Sequence, residues 1–126
     1  VWPYMKDQGG GSIINMSSVA GTLGGFGQAS YSATKGALLS FTKSMALEGA
    51  RHKINVNAII PGIIDTEAFR LGNPDMNERM TKRTAFKQPG KPDDIANAIT
   101  FLVSDKASYI TGVGLQVSGG IELFTF

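Results

Sequence analysis

Ser18, Tyr31 and Lys35 are the residues of this 126-residue chain whose types and spacing suggest chemistry; they lie in the stretch SSVAGTLGGFGQASYSATK, residues 17–35. Tyr31 and Lys35 stand four residues apart on a segment that reads as helix, one turn apart on one face, so the ammonium can lie near the phenol oxygen. A phenol ordinarily titrates near ~10, and a cation held close favours the phenolate, which would make Tyr31 a usable acid or base at neutral pH. Ser18 leaves the end of a short strand, where the loops of open parallel sheets gather ligands. Its hydroxyl can hydrogen-bond a substrate oxygen. Together the three groups suit proton exchange at an alcohol or ketone oxygen, although each is commonplace on helices and loops when taken singly.

The elements that must position these groups follow from periodicity. SIINM, residues 12–16, is short, β-branched and bounded by glycines and serines, and is expected to form a buried strand. From about residue 30 to 52 the apolar positions Ala33, Ala37, Leu38, Phe41 and Met45 recur at three- and four-residue steps, which predicts a long helix with that stripe facing a core. INVNAII, residues 54–60, reads as a second strand stopped by Pro61-Gly62. Residues 65–88 are polar and mixed in sign, with a short helix expected near 75–83; an excursion of this length suits a binding lid better than a linker. Pro92 at a first-turn position, beside Asp93 and Asp94, starts another helix that carries Ile95, Ala98, Ile99 and Leu102 inward. GLQVSGG closes with a strand and turn, and the opening VWPYMKDQGG reads as the tail of a helix running into a glycine turn. The order is that of an α/β fold. There is no internal repeat and no low-complexity segment.

Length and composition narrow the class of function. The chain is long enough for one domain with a real core but not for two ordinary ones. A net charge of only +2, with basic residues dispersed, does not signal nucleic acid; the cluster Arg79, Lys82, Arg83 and Lys87 reads as a solvated face. The absence of cysteine removes disulfide and thiol chemistry and suits a cytoplasmic protein. One histidine, His52, excludes a multi-histidine metal site, so no metal is expected. No apolar run approaches the ~18 residues of a membrane helix, so no membrane partner is expected.

Five segments taken together carry a resemblance: GGSIINMSSVAG, YSATKGALLSFTKSMALE, INVNAIIPGIIDT, GKPDDIANAITFLVSDKASYITG and LQVSGG. In this order and spacing they span almost the whole chain. The chain resembles the C-terminal half of a short-chain dehydrogenase/reductase, of the kind that includes 3-oxoacyl-(acyl carrier protein) reductases and sugar dehydrogenases. The resemblance implies that Tyr31 is the proton donor or acceptor, that Lys35 lowers its pKa and holds the nicotinamide ribose, and that Ser18 orients the substrate carbonyl. Ser18 matches the family position better than Ser17, because it is followed directly by Val19-Ala20-Gly21. The resemblance further implies that Pro61, Gly62 and the backbone at Ile64 line the nicotinamide, with Thr66 close to the carboxamide or diphosphate. From the residues alone, Pro61-Gly62 is a plain strand-ending turn. Residues 24–29 and 65–88 match substrate-facing loops. Phe26, Phe69, Leu71 and Met76 are candidates for an apolar pocket, and equally for core or interface.

The resemblance has gaps. The family is about twice as long, and its first half carries a glycine-rich turn at which a helix N-terminus receives the cofactor pyrophosphate. Here no GxGxxG spacing occurs; the pairs Gly9/Gly11, Gly25/Gly27 and Gly112/Gly114 each lack the third glycine. The residue that would choose NAD or NADP, the adenine pocket and the family's catalytic asparagine before this serine are also missing.

The expected architecture is therefore α/β: the C-terminal half of a doubly wound, Rossmann-like parallel sheet, with three strands and flanking helices. Residues 1–126 would form a single partial domain without the cofactor-gripping half. Two functions stay open. One is an oxidoreductase half that transfers hydride between NAD(P) and a small carbonyl or alcohol substrate, impaired and weak in cofactor binding when alone. The other is a non-catalytic half-domain that oligomerises or complements a partner. A serine hydrolase built on Ser18 is set aside, since no GxSxG elbow is present and His52 has no acidic orienter. A homo-oligomer, or a complex with an N-terminal half, is expected through the outward face of the long helix, with Ser40, Ser44 and Leu47, or through the unblunted edge of SIINM.

Overall fold

Three parallel strands form the framework of the computed structural model, which describes residues 1–123. Strand β1 (Gly11–Met16) pairs with the central β2 (Ile54–Pro61), and β2 pairs with β3 (Gly114–Val117). Helix α1 (Trp2–Asp7) enters β1 through Gly9 and Gly10, both at positive φ where a side chain would be strained. Between β1 and β2 run the short α2 (Ala20–Leu23) and the long α3 (Ala29–Gly49), extended by a 3-10 turn at Ala50–His52. Between β2 and β3 come α4 (Glu67–Arg70), α5 (Pro74–Arg83), α6 (Pro92–Leu102) and a 3-10 turn at Asp105–Ala107. The fold is thus an α/β layer structure, and its three-stranded parallel sheet is that of a partial Rossmann-like fold.

β2 is buried along almost its entire length because helices cover both of its faces. On one face Ile54 and Val56 pack with Ala46 of α3, and nearer the strand end Ile60 joins Val19, Ile63 and Ile121, with Leu39 of α3 against them. On the other face Ile59 packs with Leu102 and Ala107, with Ile14, Ile95, Ala98 and Ile99 closing the cluster. The α6 residues expected to point inward do so.

Two expectations are corrected. β1 is half-buried rather than buried, because among the described residues it is an edge strand paired on one side only. The inward stripe of α3 is also a different one. Thr42, Ala46 and Gly49 are its buried positions, whereas Ala33, Ala37 and Phe41 are exposed and Leu38 and Met45 are only half-buried. Small residues are needed where the helix lies close on the sheet: a Cβ on Gly49 would stand 2.7 Å from the Ile54 carbonyl oxygen. Of the larger apolar residues, Leu39 and Met45 pack half-buried against the core beside these positions, while Phe41 and Leu47 are left on the outer face.

Candidate active site

The C-terminal ends of β1 and β2 deliver the site. Both strands run parallel in strict register, Met16 opposite Ile59, so the residues that follow them emerge side by side. After β1 the chain turns into α2, with Val19 N–H donating to the Pro61 carbonyl at 3.0 Å. After β2, Gly62 passes so close to β3 that a Cβ would meet Ser118 Cα at 2.7 Å, and residues 63–65 pair with Gly90. That pairing sets the start of α6 beside the strand ends.

The result is one cavity of about 410 Å³. Ser18, Tyr31, Pro61, Gly62, Ile64 and Thr66 all line it, joined by Met16, Ser17, Pro92 and Ile95. Lys35 is not part of the lining, but its Nζ lies 5.7 Å from the centre of the Tyr31 ring, within cation–π range. The ammonium donates to the Met16 carbonyl at 2.8 Å. The seven residues singled out from the sequence are thereby brought together at one place.

Their polar atoms face the cavity in usable states. Ser18 Oγ accepts from Ala20 N–H at 3.2 Å, and no acceptor among the described residues takes its hydroxyl proton. That proton can be offered to a ligand oxygen. The Tyr31 side chain is 46% exposed, and its phenol makes no hydrogen bond among the described residues. Thr66 caps α4 by accepting from Phe69 N–H at 3.2 Å, which fixes its side chain at the rim. The lining thus combines the apolar Pro61, Ile64 and Ile95 with the hydroxyl-bearing Ser18, Tyr31 and Thr66.

Sequence reasoning missed four of the lining residues, among them Met16 at the end of β1. Pro92 and Ile95 were legible as helix and core but not as cavity wall, because only the pairing with Gly90 brings α6 there. Ser17 had its signal in plain view: consecutive residues leaving a strand point in opposite directions, so two adjacent serines must have two different surroundings. None of Phe26, Phe69, Leu71 and Met76 lines this cavity. Phe26, Leu71 and Met76 are exposed, and Phe69 packs against the cluster of Val19, Ile60, Ile63 and Ile121. His52 also lies outside the lining, its Nε2 accepting from Arg51 Nε at 3.1 Å. A larger cavity of about 540 Å³ lies behind Ile64, between Phe86 and Ser118, and carries none of the three chemical groups. Among the described residues no cluster of His, Asp or Glu is arranged to hold a metal ion, and no helix is long and apolar enough to cross a membrane.

The rim beyond Ile64 is tied by a two-pronged ion pair: Arg70 Nε and Nη2 donate to the Asp65 carboxylate at 2.7 and 2.9 Å. Hydrogen bonding from Arg70 holds the Asp65 carboxyl below its usual range, with the Arg70 charge adding to it and desolvation opposing. Because the folded-state value is depressed, the tie is complete above the ordinary carboxylate range and is lost as pH falls through the lowered value. Asp65→Asn is expected to speed amide exchange across α4 at neutral pH, and wild-type protection should fall to the variant's level only in acid. Equal protection at neutral pH would show that the pair does not hold α4.

The sequence pattern of the family described as Enoyl-(Acyl carrier protein) reductase matches residues 1–122. The chain is 46% identical over 121 residues to an acetoacetyl-CoA reductase of Shinella zoogloeoides, covering 95% of this chain and 50% of that protein. It is 42% identical over 123 residues to the 3-oxoacyl-(acyl-carrier-protein) reductase FabG of Staphylococcus epidermidis, covering 98% of this chain and 50% of that protein. It is also 41% identical over 122 residues to nodulation protein G of Azospirillum brasilense, again with 50% of that protein covered. With this sheet, this cavity and these matches, the chain belongs to the short-chain dehydrogenase/reductase family of oxidoreductases. It spans about half the length of the curated relatives it matches.

Proposed function

We propose that this chain is the proton-handling and substrate-facing half of an NAD(P)-dependent reductase or dehydrogenase acting on a carbonyl or alcohol. The observation that carries the reading is the convergence of Ser18, Tyr31, Pro61, Gly62, Ile64 and Thr66 on one cavity, with Lys35 held beside Tyr31. Ser18 donates its hydroxyl proton to the substrate oxygen and orients it. Tyr31 gives a proton to that oxygen in reduction and takes it back in oxidation. Lys35 holds a positive charge 5.7 Å from the centre of the Tyr31 ring, where it can meet the negative charge that proton transfer leaves. A nicotinamide, when bound, supplies or accepts the hydride at the carbonyl carbon. Pro61, Ile64 and Ile95 offer apolar surface that suits the face of its ring, and Thr66 offers a hydroxyl to its polar substituents. The nicotinamide end of the cofactor thus fits the residues present, whereas no GxGxxG spacing is present here to grip the pyrophosphate.

The site assignment is tested by amide NMR with nicotinamide mononucleotide. The signals of Ser18, Gly62, Ile64 and Thr66 should move, and those of Phe86 and Gln88 around the neighbouring cavity should not. Movement confined to the second group would reject the assignment.

The 126-residue chain alone is expected to bind NAD or NADP more weakly than micromolar, because adenine and pyrophosphate contribute nothing. Micromolar affinity for either dinucleotide by titration calorimetry would contradict this.

The proposed setting is a cytoplasmic homo-oligomer or a complex with an N-terminal half. What supports assembly is the outer face of α3, where Ala33, Ala37, Ser40, Phe41, Ser44 and Leu47 are exposed, Leu47 at 82%. An apolar helix face of this kind is more often covered than solvated. Light scattering is expected to return a dimer or larger species. A monomer mass at high micromolar concentration, from cooperatively folded protein, would reject that expectation.

A further inference from the structure

Two hydrogen bonds running in opposite directions join the end of β1 to one turn of α3. The Ser17 hydroxyl donates to the Lys35 backbone carbonyl at 2.8 Å, and Lys35 Nζ donates to the Met16 carbonyl at 2.8 Å. Ser17 is 4% exposed, and its N–H donates to the Ile59 carbonyl at 2.8 Å. It is therefore fastened to the sheet by its backbone and to the helix by its side chain. A carbonyl in the middle of a helix already accepts from the N–H four residues on, so satisfying it does not require the serine. What the bond does is fix the register of helix against strand at the turn that bears Lys35. Gly21 adds a second constraint at the same turn: a Cβ there would stand 2.7 Å from the Lys35 carbonyl carbon and 2.8 Å from Gly36 N.

We infer that Ser17 is a positioning residue: its hydroxyl sets the Lys35 turn against Met16 so that the ammonium is held beside the Tyr31 ring. Its consequence for turnover rests on the reading of Tyr31 and Lys35 given above; the clasp itself does not. Another bond between the same two elements serves as a comparison, since Asn15 Nδ2 donates to Thr42 Oγ1 at 2.9 Å, two turns further along α3. A serine that merely added stability would behave as Thr42 does.

The test is the acetylation rate of Lys35 by acetic anhydride in the 126-residue chain, read by peptide mass spectrometry against the exposed Lys43 and Lys106 of the same molecule. In Ser17→Ala the Lys35 rate is expected to rise about fivefold, the equivalent of one lost hydrogen bond. Ser17→Thr should return it close to the wild-type rate, and Thr42→Val should leave it unchanged. No rise in Ser17→Ala, or an equal rise in Thr42→Val, overturns the inference. If Ser17→Ala does not fold, Ser17→Cys keeps the space with a weaker donor and is judged by the same criteria. No cofactor or substrate enters this measurement, so its failure is separate from failure of the proposed reaction. In an assembly that turns over, Ser17→Ala should lower kcat about tenfold with KM nearly constant, and Ser17→Thr should restore it; an unchanged kcat overturns the positioning role.

Discussion

Tyr31→Phe, in an assembly competent for turnover, is expected to lower the rate by ~10²–10⁴-fold, the usual contribution of a positioned acid or base. The substitution removes one oxygen and keeps the ring. That oxygen has no hydrogen bond to lose among the described residues, and the side chain is already 46% exposed, so stability should move by less than about 0.5 kcal/mol. Loss of activity without loss of fold is therefore the signature. Lys35→Ala should also fail, because it removes the charge beside the phenol and leaves the Met16 carbonyl without its donor. The rate of reduced-nicotinamide consumption, measured alongside thermal unfolding, reads both effects. A Tyr31→Phe protein retaining more than half its activity would remove Tyr31 from the reaction.

The largest effect on stability is expected at Asn57, which is 1% exposed on the α6 face of the central strand. Its side chain reaches the segment that leads into β3 at two points: Nδ2 donates to the Ile110 carbonyl at 2.9 Å, and Oδ1 accepts from Val113 N–H at 3.1 Å. Asn55, two residues earlier on the same face, donates to the Ala107 and Ser108 carbonyls, and Thr111 Oγ1 accepts from Val56 N–H at 3.0 Å. Asn57→Ala would leave the Ile110 carbonyl and the Val113 N–H, both only part-buried, without their partners, beside a small void. Together these cost about 2–4 kcal/mol. For a domain of this size that corresponds to a fall in Tm of about 10–20 °C, checked by circular dichroism. A fall of only a degree or two would mean that water replaces both bonds at no cost.

The strands and the two longer polar-capped helices were readable because their signals are local. SIINM and INVNAII differ from β1 and β2 by one residue at an end, and the helix expected near 75–83 begins at Pro74, capped by Asn73 Oδ1 accepting from Met76 N–H at 3.1 Å. The facing of α3 was not readable for a physical reason. Periodicity reports that an apolar stripe exists, and a stripe that awaits a partner has the same period as one that meets the core. The buried stripe is instead made of Thr42, Ala46 and Gly49, whose small size matters only once the sheet is beneath them. Hydrophobicity alone left Phe26, Phe69, Leu71 and Met76 open between pocket, core and interface; Phe69 packs against the core, and the other three are exposed. Tyr31 and Lys35 were legible as a pair because a four-residue step on α3 is one turn, whereas Ser18 was singled out over Ser17 through the resemblance and reaches the same cavity from the end of β1. Pro92 and Ile95 reach the same cavity from some seventy residues further on, through backbone pairing that leaves no mark on residue type.

The central claim is that this chain carries the groups that move the proton in a carbonyl reduction. It is tested most directly by joining the chain to, or mixing it with, the amino-terminal half of the Shinella zoogloeoides acetoacetyl-CoA reductase and following the ultraviolet absorbance of NADH or NADPH with acetoacetyl-CoA. Consumption of the reduced cofactor that requires both halves, and that disappears with Tyr31→Phe, is the predicted result. A folded complex of the two halves that binds the cofactor yet leaves it unoxidised, or oxidises it equally well without the Tyr31 hydroxyl, would contradict the claim.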